Sequence, residues 1–169
     1  MILLGSCATS VPKPESGSDT LLLFVVDTEI PVGLDFGATA SLMVGIWNVE
    51  QTVNLSTRRS LVSVSGLATG AHRTEYMRKK LSLTGDVRAA PGVEGLSKPK
   101  PFEVPFELKP GYMTVFPVKF TFVVSQVRGH SYMGRWVMKD MSEGERRAVL
   151  EDLAGNDAFA LWKNDYGVK

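Results

Sequence analysis

The chain has 169 residues, of which 44% are hydrophobic and 22% charged, as is typical of one soluble globular domain with a sizeable core. Nineteen basic and eighteen acidic residues leave a net charge of +1, so no nucleic-acid partner is expected. Cys7 is the only cysteine, which excludes a disulfide within the chain, and no stretch approaches the ~20 apolar residues of a membrane-spanning helix.

The N-terminal ten residues read MILLGSCATS. Within them, Leu3-Leu4-Gly5-Ser6-Cys7 resembles the lipobox of bacterial lipoproteins, in which an aliphatic residue and two small residues precede the cysteine. The resemblance implies cleavage before Cys7, acylation of Cys7, and a bacterial cell-envelope location with a membrane as partner through this lipid anchor. A basic n-region and a full apolar h-region are missing, so either the true start lies upstream or the match arises by chance. The alternative is a disordered N-terminus with an unmodified cysteine.

Residues 8–19 are rich in Ser, Pro and Gly and have no apolar pattern. This composition is typical of a flexible tether, so residues 1–19 are predicted to be a truncated signal and tether, and 20–169 a single domain.

The next segments predict short strands. Residues 20–26 (TLLLFVV) are a continuous apolar run, which indicates a central strand buried on both faces. Residues 40–49 predict a second strand with Leu42, Val44 and Ile46 on one face. The segment 51–59 looks polar and exposed, and a third strand is predicted at 61–65 (LVSVS).

A glycine-punctuated turn follows the third strand. The segment 66–72 (GLATGAH) resembles the Gly-Leu-Pro-x-Gly-x-Tyr turn of transthyretin-like and carboxypeptidase-regulatory β-sandwiches, with Ala68 in place of proline and His72 in place of tyrosine. The resemblance implies a transthyretin-like or immunoglobulin-like β-sandwich. Residues 71–83 continue the chain, and the Gly-, Pro- and Ala-rich stretch 84–100 predicts a loop.

The stretch 102–124 gives the clearest strand signal. Apolar and polar residues alternate strictly through 102–109, Lys109-Pro110-Gly111-Tyr112 predicts a type II turn, and a second apolar strand follows. A two-residue loop would put the two apolar sets on opposite faces. Either a bulge at Gly111 restores the parity of a hairpin, which is the favoured interpretation, or the two strands belong to different packed sheets.

The character of the sequence changes after residue 127. A last strand is predicted around Trp136, and Ser142-Glu143-Gly144-Glu145 is a capping-box signature that opens a helix. Asp157 is expected to cap a further short helix. Altogether the sequence predicts a mainly β fold, an antiparallel β-sandwich (or barrel), with one or two short C-terminal α-helices from about residue 141.

Catalytic and metal-binding patterns are weak. In Gly129-His130-Ser131-Tyr132-Met133-Gly134 a methionine replaces the second glycine of a nucleophile elbow, and no histidine follows Ser131. His72 and His130, the only histidines, do not form a spaced ligand set. No catalytic residue, metal site or cofactor is therefore predicted, and the chain is not expected to be an enzyme.

A basic run is the remaining surface signal. Arg78, Lys79 and Lys80, with Arg73 nearby, are candidate contacts with anionic lipid headgroups, or charges that keep a sheet edge from pairing. The function predicted is that of a non-catalytic, lipid-anchored envelope lipoprotein that contacts a protein or another envelope component. The alternative is a sandwich that binds a small apolar or carbohydrate ligand between its sheets or under the C-terminal helix.

Overall fold

A computed structural model describes residues 11–31, 39–49, 52–82, 95–128 and 131–169. Cys7, His130 and most of the predicted loop 84–100 lie outside these residues. The described chain forms two packed β-sheets with a helical layer on the outer side of the first sheet. The strands are β1 (Leu21–Glu29), β2 (Thr39–Ile46), β3 (Thr52–Ser56), β4 (Leu61–Ser65), β5 (Gly70–Ser82), β6 (Gly95–Leu96), β7 (Lys100–Pro101), β8 (Pro105–Leu108), β9 (Met113–Val115), β10 (Val118–Arg128) and β11 (Ser131–Asp140). The helix α1 (Glu143–Leu153) and a 3-10 turn (Phe159–Leu161) complete the chain.

The first sheet has the order β11-β10-β1-β4, and β9 lies beside the start of β1. β1 pairs antiparallel with β4 on one side and parallel with β9 and then β10 on the other. Pro117, which has no N–H to donate, stands where β9 ends and β10 begins. The predicted two-sheet, mainly β fold with a short C-terminal helix is confirmed, although this sheet is mixed rather than wholly antiparallel.

The second sheet has the order β3-β2-β5, and the short strands β6, β7 and β8 follow one another along the far side of β5. The Thr74 side chain is fully buried at the break between β7 and β8. Its hydroxyl donates to the Phe102 carbonyl at 2.6 Å and accepts from the Val104 N–H at 2.9 Å. Thr74 thereby provides hydrogen-bond partners for two backbone groups, the Phe102 carbonyl and the Val104 N–H, at the gap between β7 and β8.

The core between the sheets is built on packed aromatic rings. Phe24 from β1 lies 4.7 Å from Phe116 and 6.2 Å from Phe120 between ring centroids. Phe102 and Phe106 reach the same cluster from the second sheet, with centroid distances of 5.7 Å to Phe120 and 5.5 Å to Phe116. Centroid separations of this size give aromatic pairs a favourable energy beyond the area they bury.

β1 is buried on both faces, as predicted. Leu22 and Phe24 face the aromatic core, while Leu21 and Leu23 pack under the C-terminal layer with Leu150, Phe159 and Trp162. The continuous apolar run of β1 is explained by this layer, because a strand with helices over one face and a sheet over the other has no wet side.

The favoured hairpin at 102–124 is wrong. The type II turn itself is correct, since Gly111 has φ +75° and the Tyr112 N–H bonds to the Lys109 carbonyl at 3.2 Å. However, the turn carries the chain from β8 in the second sheet to β9 in the first, so no bulge is needed to restore parity. The less favoured interpretation, two different packed sheets, is the one observed.

Two smaller predictions are also wrong. The segment 51–59, expected to be polar and exposed, contains β3, whose Val53 and Leu55 are buried in the core. Asp157 does not cap the second helical turn. The Asn156 side chain accepts from the Ala158 N–H instead, and the turn is a 3-10 turn rather than an α-helix.

We expect Phe120→Ala to destabilise the domain by about 3–5 kcal/mol, because the ring is fully buried among other rings and its removal leaves a cavity. Chemical denaturation followed by tryptophan fluorescence measures the change. Leu161→Ala is the control, since Leu161 is 55% exposed and should change stability by less than about 0.5 kcal/mol. An equally small effect of Phe120→Ala would show that Phe120 is not on the buried face of β10.

The predicted capping box is present, with the Glu145 carboxylate accepting from the Ser142 N–H and the Glu145 N–H bonding to the Ser142 hydroxyl. The bonds from Ser142, with lesser help from Lys139 and Lys119, lower the pKa of Glu145 below its ordinary value of 4.5. Its contribution to stability is therefore full above about pH 4.5 and is lost as the pH falls through the lowered pKa. We expect Glu145→Gln to flatten the acid limb of a stability-versus-pH curve, because the glutamine amide does not titrate. An acid limb as steep as that of the parent would show that Glu145 does not contribute to it.

Candidate interaction surfaces

The N-terminal segment 11–19 contacts the domain. Val11 is buried in the outer cluster, and the Trp162 indole N–H donates to the Pro12 carbonyl at 2.8 Å. Further along, the Gly111 N–H bonds to the Asp19 carbonyl at 2.7 Å. The described part of the predicted tether is therefore packed against the sandwich rather than free.

A compact turn at 15–19 leads the segment into β1. The Asp19 carboxylate accepts from the Ser16 N–H at 2.9 Å, from the Ser16 hydroxyl at 2.7 Å, and from the Glu15 N–H. These bonds favour the charged form and lower the pKa of Asp19, the Ser16 hydroxyl having the largest effect. A serine- and glycine-containing stretch is thus ordered by one carboxylate.

The C-terminal tail is held to the same end of the sandwich. The Met113 N–H bonds to the Lys163 carbonyl at 2.8 Å, and the Lys163 N–H bonds to the Gly111 carbonyl at 2.9 Å. Lys109 donates to the Asp165 carboxylate at 2.6 Å, which raises the pKa of Lys109. The N-terminal segment, the turn before β9 and the C-terminal tail therefore form one connected structure at the start of β1.

The four basic residues predicted as a surface contact all lie on β5, but they are not one patch. Arg73 stacks over the Trp47 ring at 4.6 Å and lies 4.0 Å from the Glu103 carboxylate. Arg78 is half-buried, and its Nε donates to the Ser97 carbonyl at 3.1 Å. Arg73 is thus engaged by an aromatic ring and a carboxylate, while Arg78 holds the loop after β6.

Lys79 lies on the face of β5 opposite to that of Arg78. Lys79 pairs with Leu42, a core residue, so its side chain starts on the inner face of the sheet. Lys80 pairs with Ser41 through the backbone. Adjacent residues of a strand face opposite sides, so a run of three cations in sequence does not make three cations on one surface.

His72 lies at the turn that resembles transthyretin-like sandwiches. Its ring stacks on Phe106 with centroids 5.5 Å apart, and its Nε2 lies 2.7 Å from the Ala68 carbonyl. Gly66 and Gly70, which flank the turn, have φ values of +77° and +114°. The ring contacts explain His72 as a residue that closes the turn.

β11 is an open edge of the first sheet. The Met141 N–H bonds to the Pro117 carbonyl at 2.8 Å, which makes Val118–Asp140 a pair without mutual hydrogen bonds. The register runs without a shift from this pair to Gln126–Tyr132. The backbone groups that point away from β10 therefore belong to every second residue, namely Gly134, Trp136, Met138 and Asp140, and no described residue bonds to them.

The solvent-facing side chains of β11 alternate between apolar and basic. Met133 is 57% exposed and Val137 is 37% exposed, and Arg135 and Lys139 are exposed between and beside them. Lys139 lies near the Glu145 carboxylate, whose pKa it helps to lower. Arg135 has no ion-pair partner among the residues that the structure describes. Sequence reasoning placed this strand but missed its edge, because strand order cannot be read from residue alternation.

Neither a metal centre nor a membrane span is found in the described ranges. No group of three or more His, Cys, Asp or Glu residues there could hold a metal ion. Similarly, none of the helices in this part of the chain is long and apolar enough to cross a bilayer. Cys7, the predicted lipidation site, lies outside these residues.

We expect Trp162→Phe to release the N-terminal segment, because phenylalanine fills most of the space but cannot donate to the Pro12 carbonyl. Amide hydrogen exchange and limited proteolysis should show faster opening of residues 11–19, with global stability lower by about 1 kcal/mol. Trp47→Phe is the matched control, since Trp47 is 43% exposed and distant from Pro12 in the fold. Unchanged exchange in Trp162→Phe would mean that the burial of Val11 and the bond from Gly111 to Asp19 hold the segment without the indole.

Comparison of the chain with protein-family models, with curated proteins and with solved structures found no match. The two resemblances noted in the sequence, at Leu3–Cys7 and at 66–72, therefore stay predictions. Function has to be inferred from the surfaces that the fold presents.

Proposed function

We propose that this chain is a non-catalytic β-sandwich of the bacterial cell envelope, anchored to a membrane through an acylated Cys7, that acts by contacting another protein. The observation that carries the contact function is the open edge of β11. Unpaired strand edges offer backbone hydrogen bonds to another chain, and many interaction domains use them in this way. The exposed Met133 and Val137 beside the edge add apolar area to it.

The packed N-terminal segment limits how far the domain can stand from its anchor. Four residue steps separate Cys7 from the buried Val11, and an extended chain gains at most about 3.6 Å per residue, or roughly 14 Å in all. The domain would therefore lie close to the bilayer surface rather than tens of ångströms above it. The membrane-proximal end is the one that carries Trp162 and the C-terminal tail.

The basic residues of β5 fit a membrane contact less well. Val11 packs on the outer side of the first sheet, whereas Arg73 and Trp47 lie on the outer side of the second sheet. Packed sheets are about 10 Å apart, so the anchor and these side chains are on opposite sides of the sandwich. Arg73 is also already engaged by Trp47 and Glu103.

A ligand-binding sandwich is the weaker candidate. Such a module needs a cavity with converging polar groups. Among the described residues, the space between the sheets is occupied by the packed phenylalanines around Phe116, and the space under α1 by Leu150, Phe159 and Trp162. Both positions are therefore filled by core side chains, which favours a structural role over ligand binding there.

We expect the native protein, expressed from its own gene with whatever signal precedes Met1, to partition into the detergent phase. Cys7→Ser should move it to the aqueous phase, because two or more acyl chains are needed for firm membrane binding and all of them would be lost. The melting temperature should not change, since the described contacts of the domain begin at Val11.

The control is a relocated thiol. Cys7→Ser combined with Ser10→Cys keeps one cysteine in the segment but places it after Ala8 and Thr9 rather than after Gly5 and Ser6. This variant should also stay in the aqueous phase. A free Cys7 thiol in the membrane-extracted protein, found by mass spectrometry, would contradict the anchor and the envelope location with it.

A further inference from the structure

We infer that the β11 edge accepts an extended, antiparallel segment of a partner protein in which acidic and apolar side chains alternate. This inference rests on the proposed contact function and names the chemistry of the partner. It follows from three features of β11: which backbone groups are free, which side chains flank them on each face, and the sign of their charge.

The free backbone groups define the length and the phase of the site. Gly134, Trp136, Met138 and Asp140 direct their N–H and carbonyl groups away from β10. Six residue steps at about 3.4 Å each make an edge roughly 20 Å long. No proline interrupts it, and the described residues leave it uncovered.

The two faces of β11 favour different side chains on an added partner strand. On the inner face Trp136 is buried and Met138 is packed against the core, so apolar side chains of an added strand would extend this face. On the outer face Arg135 and Lys139 are exposed beside Met133 and Val137. Acidic side chains of the added strand would stand opposite these cations, and opposite-charge pairs across strands are favourable.

Gly134 makes room for the Phe122 ring on the inner face of β11. A Cβ atom at this position would lie 2.2 Å from the Phe122 ring, so the ring covers the strand at the point where a side chain would otherwise stand. At this position the inner face of β11 is covered by a ring from β10, and Gly134 itself presents only backbone groups.

A second copy of the chain fits the edge less well than an acidic segment. If two β11 strands pair antiparallel about Trp136, Met133 lies opposite Lys139 and Arg135 opposite Val137. The two Arg135 side chains, and each Arg135 with the other Lys139, then become diagonal neighbours on one face. Diagonal positions are within reach of long side chains, so this dimer gathers four cations without an acidic partner.

The test uses an acetylated and amidated octapeptide that repeats Glu-Val four times, titrated into the isotope-labelled protein and followed by amide NMR shifts. We expect saturable shifts at residues 134, 136, 138 and 140, weakened by added salt because the ion pairs are exposed. The Lys-Val octapeptide is the control and should not bind. Before titration, hydrogen exchange of the same four amides should be fast, and protection of these amides in the free protein would overturn the inference, because the edge would already be paired.

Charge substitutions test the outer face. Arg135→Glu combined with Lys139→Glu should weaken Glu-Val binding about tenfold, as expected for two exposed cross-strand pairs turned from attraction to repulsion, and should allow Lys-Val to bind. Arg135→Glu alone should weaken binding more than Lys139→Glu alone, because Lys139 already interacts electrostatically with Glu145. Arg147→Glu on the surface of α1 is the matched control. Equal binding by all variants would overturn the charge complementarity.

N-methylation of the peptide tests the backbone pairing. In an antiparallel pair the valine N–H groups face β11 and the glutamate N–H groups face solvent, so methylating the valines should abolish binding and methylating the glutamates should not. The reversed pattern would overturn the antiparallel orientation. Two other results would overturn the inference: no amide shift at millimolar peptide, or a dimer in light scattering that Arg135→Glu stabilises. Neither result bears on the anchor, which is tested separately by the detergent partition of the native protein and of Cys7→Ser.

Discussion

The structure depends on the burial of β1 on both faces. Leu21, Leu22, Leu23 and Phe24 follow one another in sequence, and each is at most 1% exposed. A strand of this kind requires apolar partners on two sides at once. The second sheet supplies one side, and the C-terminal segment with α1 and the 3-10 turn supplies the other. Each of these layers would expose a large apolar face to water without β1, so the three layers are stable only together.

The same constraint joins the two ends of the chain. Trp162 packs on the outer side of β1 and donates to the Pro12 carbonyl, so the segment before β1 is held by residues 150 positions later. The tail at Lys163 then pairs with Gly111 and Met113, next to the start of β1. The terminal segments therefore carry part of the fold at this end of the sandwich, in contrast to the loose ends usual for a domain.

Much of the fold could be predicted from local pattern, and each error has a physical origin. The strands at 20–26 and 61–65, the type II turn at Gly111 and the capping box at Ser142 follow from residue alternation and backbone preference, which act over a few residues. The pairing of β9 with β1 instead of β8 is decided by contacts between residues about 90 positions apart, which no local pattern encodes. The strand at Val53 and Leu55 was missed because two apolar residues among polar ones give a weak signal.

The candidate site was harder to predict than the fold. Arg78 and Lys79 of β5 are adjacent in sequence, yet strand alternation puts them on opposite faces of the sheet, and Arg73 is engaged by Trp47. The β11 edge has no sequence motif, because an edge is defined by the absence of a neighbour. Only the strand order, with β10 on one side of β11 and no described strand on the other, reveals it.

The positions of the two proposed surfaces are compatible with each other. Val11 and Trp162 lie near Leu21 and Met113, at the start of β1. β11 ends beside the middle of β1, since its last residue Asp140 pairs with Val118. Its earlier residues lie at the far end of β1, where Arg135 is level with Glu29 through Val123. The eight residue steps of β1 span about 26 Å, so a membrane at the Val11 end would leave the Met133 end of β11 pointing away from the bilayer. An anchor and a strand-accepting edge at opposite ends of one rigid sheet would let the domain be fixed to a surface while its contact edge stays open to a partner.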